Sequence, residues 1–432
     1  MKKAAFYTLG CKVNQYETEA MIELFLLRGY EIVDFDLPAD VYVINTCTVT
    51  GMSDRKSRQI IRRAKKTNPN AIVVVTGCYA QTSHEAVAGI DGVNLVVGTK
   101  ERQNIAELAE ACSLDSVNDT VSDIMHTHTF EDLSIKTYQD RTRAYIKVQE
   151  GCSQFCSYCI IPYARGPVRS RPFDDVVSEI RRLAKEGFSE IILTGIHVAS
   201  YGSDLKNYTL ADLILAADSI DGIERIRLSS IEPMTLNREF IDKIKPCKKL
   251  CNHFHISLQS GCDSTLKRMN RKYTCDEYFS IVQGLRENFP DTAITTDIMV
   301  GFPGETDAEF EATVEFVKRV DFADAHIFQY SPRKGTPAAK RPDQIPPETK
   351  EKRSKIIAQL TEESRNNFKS RFTGKKMRVL FEQPFHKKDG WFEGKTSNYL
   401  TVIVKTDEDI SGKFFDVRLE KNTKFGIEGT II

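Results

Sequence analysis

No stretch of this 432-residue chain approaches the roughly eighteen consecutive apolar residues that a membrane-spanning helix needs. No secretory leader is expected either, because Met1-Lys2-Lys3-Ala4-Ala5-Phe6-Tyr7 runs straight into a strand pattern. Net charge is absent as well: 60 basic residues meet 60 acidic ones. A membrane-spanning helix and a globally basic nucleic-acid binder are therefore not expected, and any nucleic acid must be held by local patches. The expected location is cytoplasmic, with no membrane partner. The apolar fraction of 41% and charged fraction of 28% are those of an ordinary globular chain, long enough for two to four domains. Cysteine is not scarce. Eleven in a large chain expected to be cytosolic argue for reduced thiols and metal chemistry, not a disulfide framework.

Three of them stand in Gly151-Cys152-Ser153-Gln154-Phe155-Cys156-Ser157-Tyr158-Cys159, at C-x-x-x-C-x-x-C spacing after an expected strand over 144–149. Three thiolates this close can hold three corners of an iron–sulfur cluster and leave the fourth iron open to another ligand. A zinc site with a distant fourth ligand and a set of buried free thiols are the competing readings. Zinc motifs pair C-x-x-C with a second pair or with two histidines, and neither lies nearby.

The first third of the chain repeats one device three times. Expected strands over 4–9, 41–45 and 72–76 run into Gly10-Cys11, Thr46-Cys47 and Gly77-Cys78. Helical patterns over 17–28 and 54–66 follow the first two, so parallel βαβ units are expected, with short apolar runs buried on both faces. All carboxyl ends of such a sheet share one edge, which is where ligands bind. Cys11, Cys47 and Cys78 are therefore expected at one rim as a second cluster site, against the alternative of three buried apolar cysteines. Arg55, Arg58, Arg62 and Lys65 or Lys66 fall at helical spacing as a cationic stripe. A solvated helix face explains the stripe, and so does an edge that neutralises RNA phosphates. Residues 115–140 lack periodicity, carry His126 and His128, and are expected to connect two domains.

From 141 to about 331 strands and helices alternate. Strands are expected over 144–149, 190–193, 225–228, 253–258, 293–300 and 325–330, with helices over 174–186, 210–217, 237–243, 276–288 and 307–319. Six βα units fit a partial TIM-type barrel with its active groups at the strands' carboxyl ends. Thr194 and Gly195, Ser229, Gln259, and Asp297 with Gly301 stand at those ends. Cys247, Cys251, Cys262 and Cys275 are read as structural thiols. Residues 331–350, with five prolines, read as a loop, and 351–371 as an amphipathic helix. Short strands over 377–382, 391–395, 399–404, 413–419 and 424–431 then suggest a compact β-barrel. Lys387, Lys388, Trp391, Lys395, Lys405 and Arg418 could offer it a nucleic-acid surface.

The Cys152–Cys156–Cys159 loop resembles the signature of the radical S-adenosylmethionine enzymes. The three strand-end cysteines, with Asn14 three residues past Cys11, are similar to the amino-terminal domain of that superfamily's methylthiotransferases. The final barrel resembles the RNA-binding TRAM domain. The resemblance implies an α/β chain of four parts: an N-terminal methylthiotransferase domain (1–114), a linker (115–140), a radical S-adenosylmethionine (β/α)6 barrel (141–370) and a TRAM barrel (371–432).

It further implies two [4Fe–4S] clusters, one on each cysteine set, and S-adenosylmethionine as both radical source and methyl donor. Tyr158 would lie against the adenine, Thr194 and Gly195 near the methionyl amine, and Asp297 and Gly301 by the adenine, with Ser229 and Gln259 as further contacts. Side chains cannot remove an aromatic C–H proton, so a radical takes the hydrogen and the auxiliary site delivers sulfur. Partners would be the anticodon loop of tRNA and a reductant such as flavodoxin or ferredoxin. Lys12-Val13 and Tyr158-Cys159-Ile160-Ile161-Pro162-Tyr163-Ala164-Arg165-Gly166 look most like the group acting on threonylcarbamoyladenosine, whose target base lies in a single-stranded loop. The alternatives are methylthiolation of isopentenyladenosine in tRNA and, in a different class, a non-catalytic zinc-dependent RNA-binding protein.

Overall fold

The structure is a computed structural model and describes residues 1–133, 135 and 142–432. The N-terminal third forms a six-stranded parallel sheet from β1 (Lys3–Thr8), β2 (Glu31–Val33), β3 (Val41–Thr46), β4 (Ile72–Gly77), β5 (Leu95–Val96) and β6 (Asn118–Asp119), in the order β2-β1-β3-β4-β5-β6. Its apolar runs feed both faces. Tyr42, Ile44, Val73 and Val75 pack on one side, and Val41, Val43 and Val74 on the other. Helix α1 (Lys12–Leu27) covers the second face with Ala20, Met21 and Phe25, while α2 (Gly51–Thr67) covers the first with Ile60, Ile61 and Ala64. The chain reverses direction across the sheet between β1 and β3, and that is where the crevice of such a fold opens.

The expected helix over 17–28 in fact begins at Lys12, with Cys11 in extended conformation at its N-cap, and a short helix α3 (Cys78–Thr82) starts on the third cysteine. Within the segment 115–140, Asn118–Asp119 forms the sheet's edge strand and Glu131 is buried. The end of that segment, residues 134 and 136–140, lies outside the described residues, as does residue 141. His126 is exposed and bonds Asp123 through Nδ1 at 2.8 Å.

The middle holds six parallel strands in a half-barrel: β7 (Arg143–Glu150), β9 (Glu190–Gly195), β10 (Arg225–Leu228), β11 (His253–His255), β12 (Ala293–Val300) and β13 (Asp324–Gln329). A two-residue strand, β8 (Arg169–Ser170), pairs antiparallel with β7. Regular pairing stops at β10, and single parallel bridges such as Ile231 to Ile256 carry the curvature on to β11. For that reason the strand expected over 253–258 is regular only to His255. Ala144, Ile146 and Val148 join the core under the outer helices, which leaves Arg143, Tyr145 and Lys147 on the concave face.

The helix expected over 351–371 starts earlier, at Pro347 (Pro347–Ser370), because proline suits the first turn, where its missing N–H costs nothing. A closed barrel follows: β14 (Lys376–Pro384), β15 (Trp391–Thr396), β16 (Thr401–Lys405), β17 (Phe414–Thr423) and β18 (Gly426–Ile431). It sits under the amino ends of the half-barrel strands. Arg225 donates to the carbonyls of Lys395 and Arg378 at 2.8 and 2.7 Å, Arg227 to those of Ser397 and Thr396, and Arg143 reaches Glu382 at 2.8 Å. Among the described residues no helix is long and apolar enough to cross a membrane.

Candidate active site

Both cysteine sets lie at strand carboxyl ends. Cys11 follows β1, Cys47 follows β3 and Cys78 follows β4, and their charges act on one another. Close approach depends on Gly10, whose φ is +104°; a Cβ there would lie 2.8 Å from Cys47 Cβ and 3.0 Å from its sulfur. Asn14, on the first turn of α1, ties the strand ends together by donating to the carbonyls of Leu9 and Thr46 at 2.7 and 3.0 Å. Burial pushes the Cys47 thiol up to about 11 and raises that of Cys11.

Cys152, Cys156 and Cys159 occupy the loop after β7. Residues 268–271 brace it from the half-barrel. Ser157 donates its N–H to Met269 O and its hydroxyl to Arg268 O, and Asn270 Nδ2 reaches Phe155 O at 2.9 Å. Arg271 places Nη1 3.3 Å from Cys156 Sγ and Nη2 2.7 Å from Glu232. Burial, reinforced by neighbouring thiols, pushes Cys152 to about 11 and Cys159 to about 12. Both sets would have to shed protons to bind iron.

The other expected site residues are distributed around the half-barrel. Tyr158 packs edge-on to Phe302 with ring centroids 6.5 Å apart. Thr194 is buried in β9, and Gly195 lies against Gln149, whose Oε1 also accepts from the His197 N–H at 2.7 Å. The buried Ser229 hydroxyl has no partner within the described chain. Gln259 adopts φ +69° and pairs its backbone with Asp297 and Met299. Asp297 faces His255 at 3.3 Å, and the Gly301 N–H donates to Glu305 at 2.7 Å. Cys251 is buried near Ser397, at the opposite end of the half-barrel from the cysteine loop. The cationic stripe divides: Arg55 and Arg62 are exposed, whereas Arg58 bonds the Tyr79 hydroxyl.

Sequence reasoning missed a buried ionic network joining the two cysteine sets. Arg165, on the helix Ile161–Arg165 just past Cys159, places Nε 3.3 Å from Cys78 Sγ. Its terminal nitrogens hold Glu17 at 2.5 and 2.9 Å, Glu150 at 3.0 Å and Asn14 at 2.8 Å. Arg102 bonds Glu17, Glu131 and Glu150; Lys147 bonds Glu17 and Glu150; and Arg169 faces Glu150. Four cations thus meet three carboxylates, and the guanidinium beside Cys78 supplies positive charge that a thiolate there would balance. Arg165 had a signal in its place in the stretch after Cys159, and Glu17 in the stretch after Cys11 that carries the family likeness. Nothing in the sequence marked Arg102 or Arg271.

Residues 146–317 match the radical SAM superfamily, and residues 3–98 match an uncharacterised protein family, UPF0004. A threonylcarbamoyladenosine tRNA methylthiotransferase of Bacillus subtilis is 43% identical over 98% of this chain and 94% of its own length. A protein of the same name from Thermotoga maritima is 36% identical over 99% of this chain and 96% of its own. A tRNA-2-methylthio-N6-dimethylallyladenosine synthase of Acetivibrio thermocellus is 36% identical over 98% of this chain and 90% of its own. Among solved structures, the radical S-adenosylmethionine methyltransferase TsrM of Kitasatospora setae superposes with a TM-score of 0.58 at 17% identity, covering 78% of this chain and 75% of that one, a likeness of fold. With one arginine reaching from the loop of the first cysteine set to a sulfur of the second, and relatives 36–43% identical over nearly the whole length of both chains, the chain belongs to the radical S-adenosylmethionine tRNA methylthiotransferases.

Proposed function

We propose that this enzyme adds a methylthio group to C2 of N6-threonylcarbamoyladenosine beside the tRNA anticodon. Cys152, Cys156 and Cys159 would hold one [4Fe–4S] cluster and Cys11, Cys47 and Cys78 a second. The observation that carries the reading is Arg165, which reaches from the loop of one set to a sulfur of the other. The donors fit: each set offers three thiols, and each has one guanidinium N–H on a sulfur, the kind of outer contact that tunes cluster charge.

When bound, the clusters and S-adenosylmethionine supply the radical, the sulfur and the methyl group. The chain's own residues hold and enclose them. Tyr158, in its apolar niche against Phe302, would stack on the adenine, and the backbone at Gly195 and Gly301 would pass close to the cofactor. Arg271 and Glu232 would set the charge beside the first set, and Arg165 and Glu17 would fix the second set relative to it. The small barrel, read as a TRAM module, would contact RNA through Trp391 and Phe425, with Lys388 4.2 Å over the first ring and Lys387 4.8 Å over the second. Lys395 does not belong to that surface, because it lies over the Tyr399 ring at 5.0 Å, on the side facing the half-barrel. A low-potential carrier such as flavodoxin or ferredoxin would be the reductant, in the cytoplasm.

Mass spectrometry of tRNA nucleosides from a deletion strain tests the substrate. Loss of the methylthio group from threonylcarbamoyladenosine alone is expected; loss from isopentenyl (dimethylallyl) adenosine instead refutes it. Anaerobic reconstitution tests the cofactors: a brown protein with roughly eight irons per chain supports them, and a colourless zinc protein sinks them.

A further inference from the structure

The relatives named above act on adenosines that differ at N6, one carrying a threonylcarbamoyl group and the other a dimethylallyl group. The first ends in a carboxylate and the second is a hydrocarbon. A pocket that separates them must supply positive charge to one and none to the other.

Such charge collects on the concave face of the half-barrel, where three parts of the chain meet. Lys12 enters from the first turn of α1, remains exposed, and holds its amine 5.6 Å from the Tyr145 ring of β7. Tyr399 enters from the turn between β15 and β16. Arg227, Lys395 and Arg143 surround its ring at 4.7, 5.0 and 6.0 Å, and His253 stacks on it at 4.8 Å. Two carboxylates stand nearby: Glu190 gives one oxygen to Arg227 and Glu382 one to Arg143, and the second oxygen of each is buried without a hydrogen bond.

Positive charge is in excess over these two carboxylates, since Arg143, Arg225, Arg227, Lys395 and Lys12 all stand around them. The exposed ammonium of Lys12 can only donate, so this arrangement suits an anionic acceptor from outside the chain. The titration of the neighbours agrees. Burial alone would push the Tyr399 phenol up, yet Lys12, Arg143, Lys395 and Arg227 outweigh it and lower it. Burial, with Arg227, His255, Lys12 and Lys395, holds His253 well below its ordinary value.

We infer that Lys12, Arg143 and Tyr399 form the subsite that binds the carboxylate of the N6 substituent, so that Lys12, next to Cys11, sets which modified adenosine is accepted. This rests on the function proposed above and deepens it. Lys12 and Arg143 are the charged contacts, and Tyr399 offers a hydroxyl beside them. A hydrocarbon substituent placed there would leave those donors desolvated and unpaired, which is how a polar pocket rejects an apolar analogue.

The test uses the reconstituted enzyme and synthetic anticodon stem-loops bearing threonylcarbamoyladenosine, its methyl ester, dimethylallyladenosine or plain adenosine, with binding and turnover read separately. For the wild type, esterification should weaken binding about ten- to a hundredfold, the worth of one charge-assisted hydrogen bond. Lys12→Met should bind the acid as weakly as the wild type binds the ester, raise KM more than it lowers kcat, and discriminate little between acid and ester. Lys12→Arg should restore the preference for the acid. Equal weakening of all four stem-loops by Lys12→Met would mean a phosphate contact and overturn the inference. So would a wild type that binds acid and ester alike, a result that needs no variant to fold. A wild type that modifies only the dimethylallyl stem-loop would overturn the function proposed above, and this subsite with it. A wild type that modifies the threonylcarbamoyl stem-loop with no loss on esterification overturns the subsite alone.

Discussion

The guanidinium of Arg165 stands 3.3 Å from the sulfur of Cys78 while its other nitrogens hold Glu17, Glu150 and Asn14. Arg165 and Glu150 flank the loop of the first cysteine set, whereas Cys78, Glu17 and Asn14 belong to elements around the second, so one side chain sets the register between them. Arg165→Met should strand Glu17 and Glu150 in a dry site and cost about 3–5 kcal/mol of stability. Denaturant unfolding of the metal-free protein reads this directly. Arg165→Lys should recover only part, since a single ammonium cannot serve four acceptors in a plane.

The two sets should also separate by function. Cys156→Ala should abolish cleavage of S-adenosylmethionine, whereas Cys47→Ala should retain some cleavage and lose methylthiolation. Deoxyadenosine and product, quantified in the same single-turnover reaction, decide this. Identical behaviour of the two variants would remove the division of labour.

Acid should unfold the protein through the buried network. Burial alone would raise the Glu150 carboxyl, but Lys147 and Arg102 lead the groups that hold it down at about 2, and Glu17 is likewise lowered. A carboxyl with a depressed folded-state value stabilises the fold above its ordinary value and loses that stabilisation as pH falls toward the depressed one. Melting temperature should therefore be nearly flat above about pH 5 and drop steadily from about pH 4.5 toward 2. Glu150→Gln should lower the plateau and shallow the slope.

Gly151 precedes the first cysteine of the loop with φ +75°, and a Cβ there would collide with the Pro167 carbonyl. Gly151→Ala should therefore disturb the loop and halve the iron content on reconstitution, with loss of cofactor cleavage. Gly374, at φ +84° with nothing within 4 Å, makes the control. Its alanine variant should lose only about 1 kcal/mol and keep its iron.

On the small barrel, Trp391→Ala should weaken tRNA binding by about 1–3 kcal/mol if a base stacks there. Lys387→Ala should reduce the salt dependence of binding by about one unit of slope. Filter binding across a salt series measures both.

What the sequence made legible was whatever repeats locally. Apolar runs ending in Gly-Cys or Thr-Cys marked β1, β3 and β4, and alternation marked the half-barrel and the small barrel. The start of α1 was misjudged because cysteine is a poor capping residue and the first turn carries Lys12, Asn14 and Gln15, without an apolar stripe. The proline pair at 346–347 read as loop although one of them opens a helix. The ionic network was invisible for another reason: Glu17, Arg102, Glu131 and Arg165 are scattered in sequence, and charge that ends up buried looks like charge on a surface.

The small barrel does not hang from the end of the helix Pro347–Ser370. Arg225 and Arg227 spend their guanidinium groups on its backbone carbonyls, and Arg143 grips Glu382. It is thus a fixed jaw, not a tether. An RNA resting on Trp391 would be held at a set span from the cysteine rims, so the molecule would work as a caliper. Its choice of nucleotide would depend on how far along the stem-loop the base lies, before any atom of that base is read.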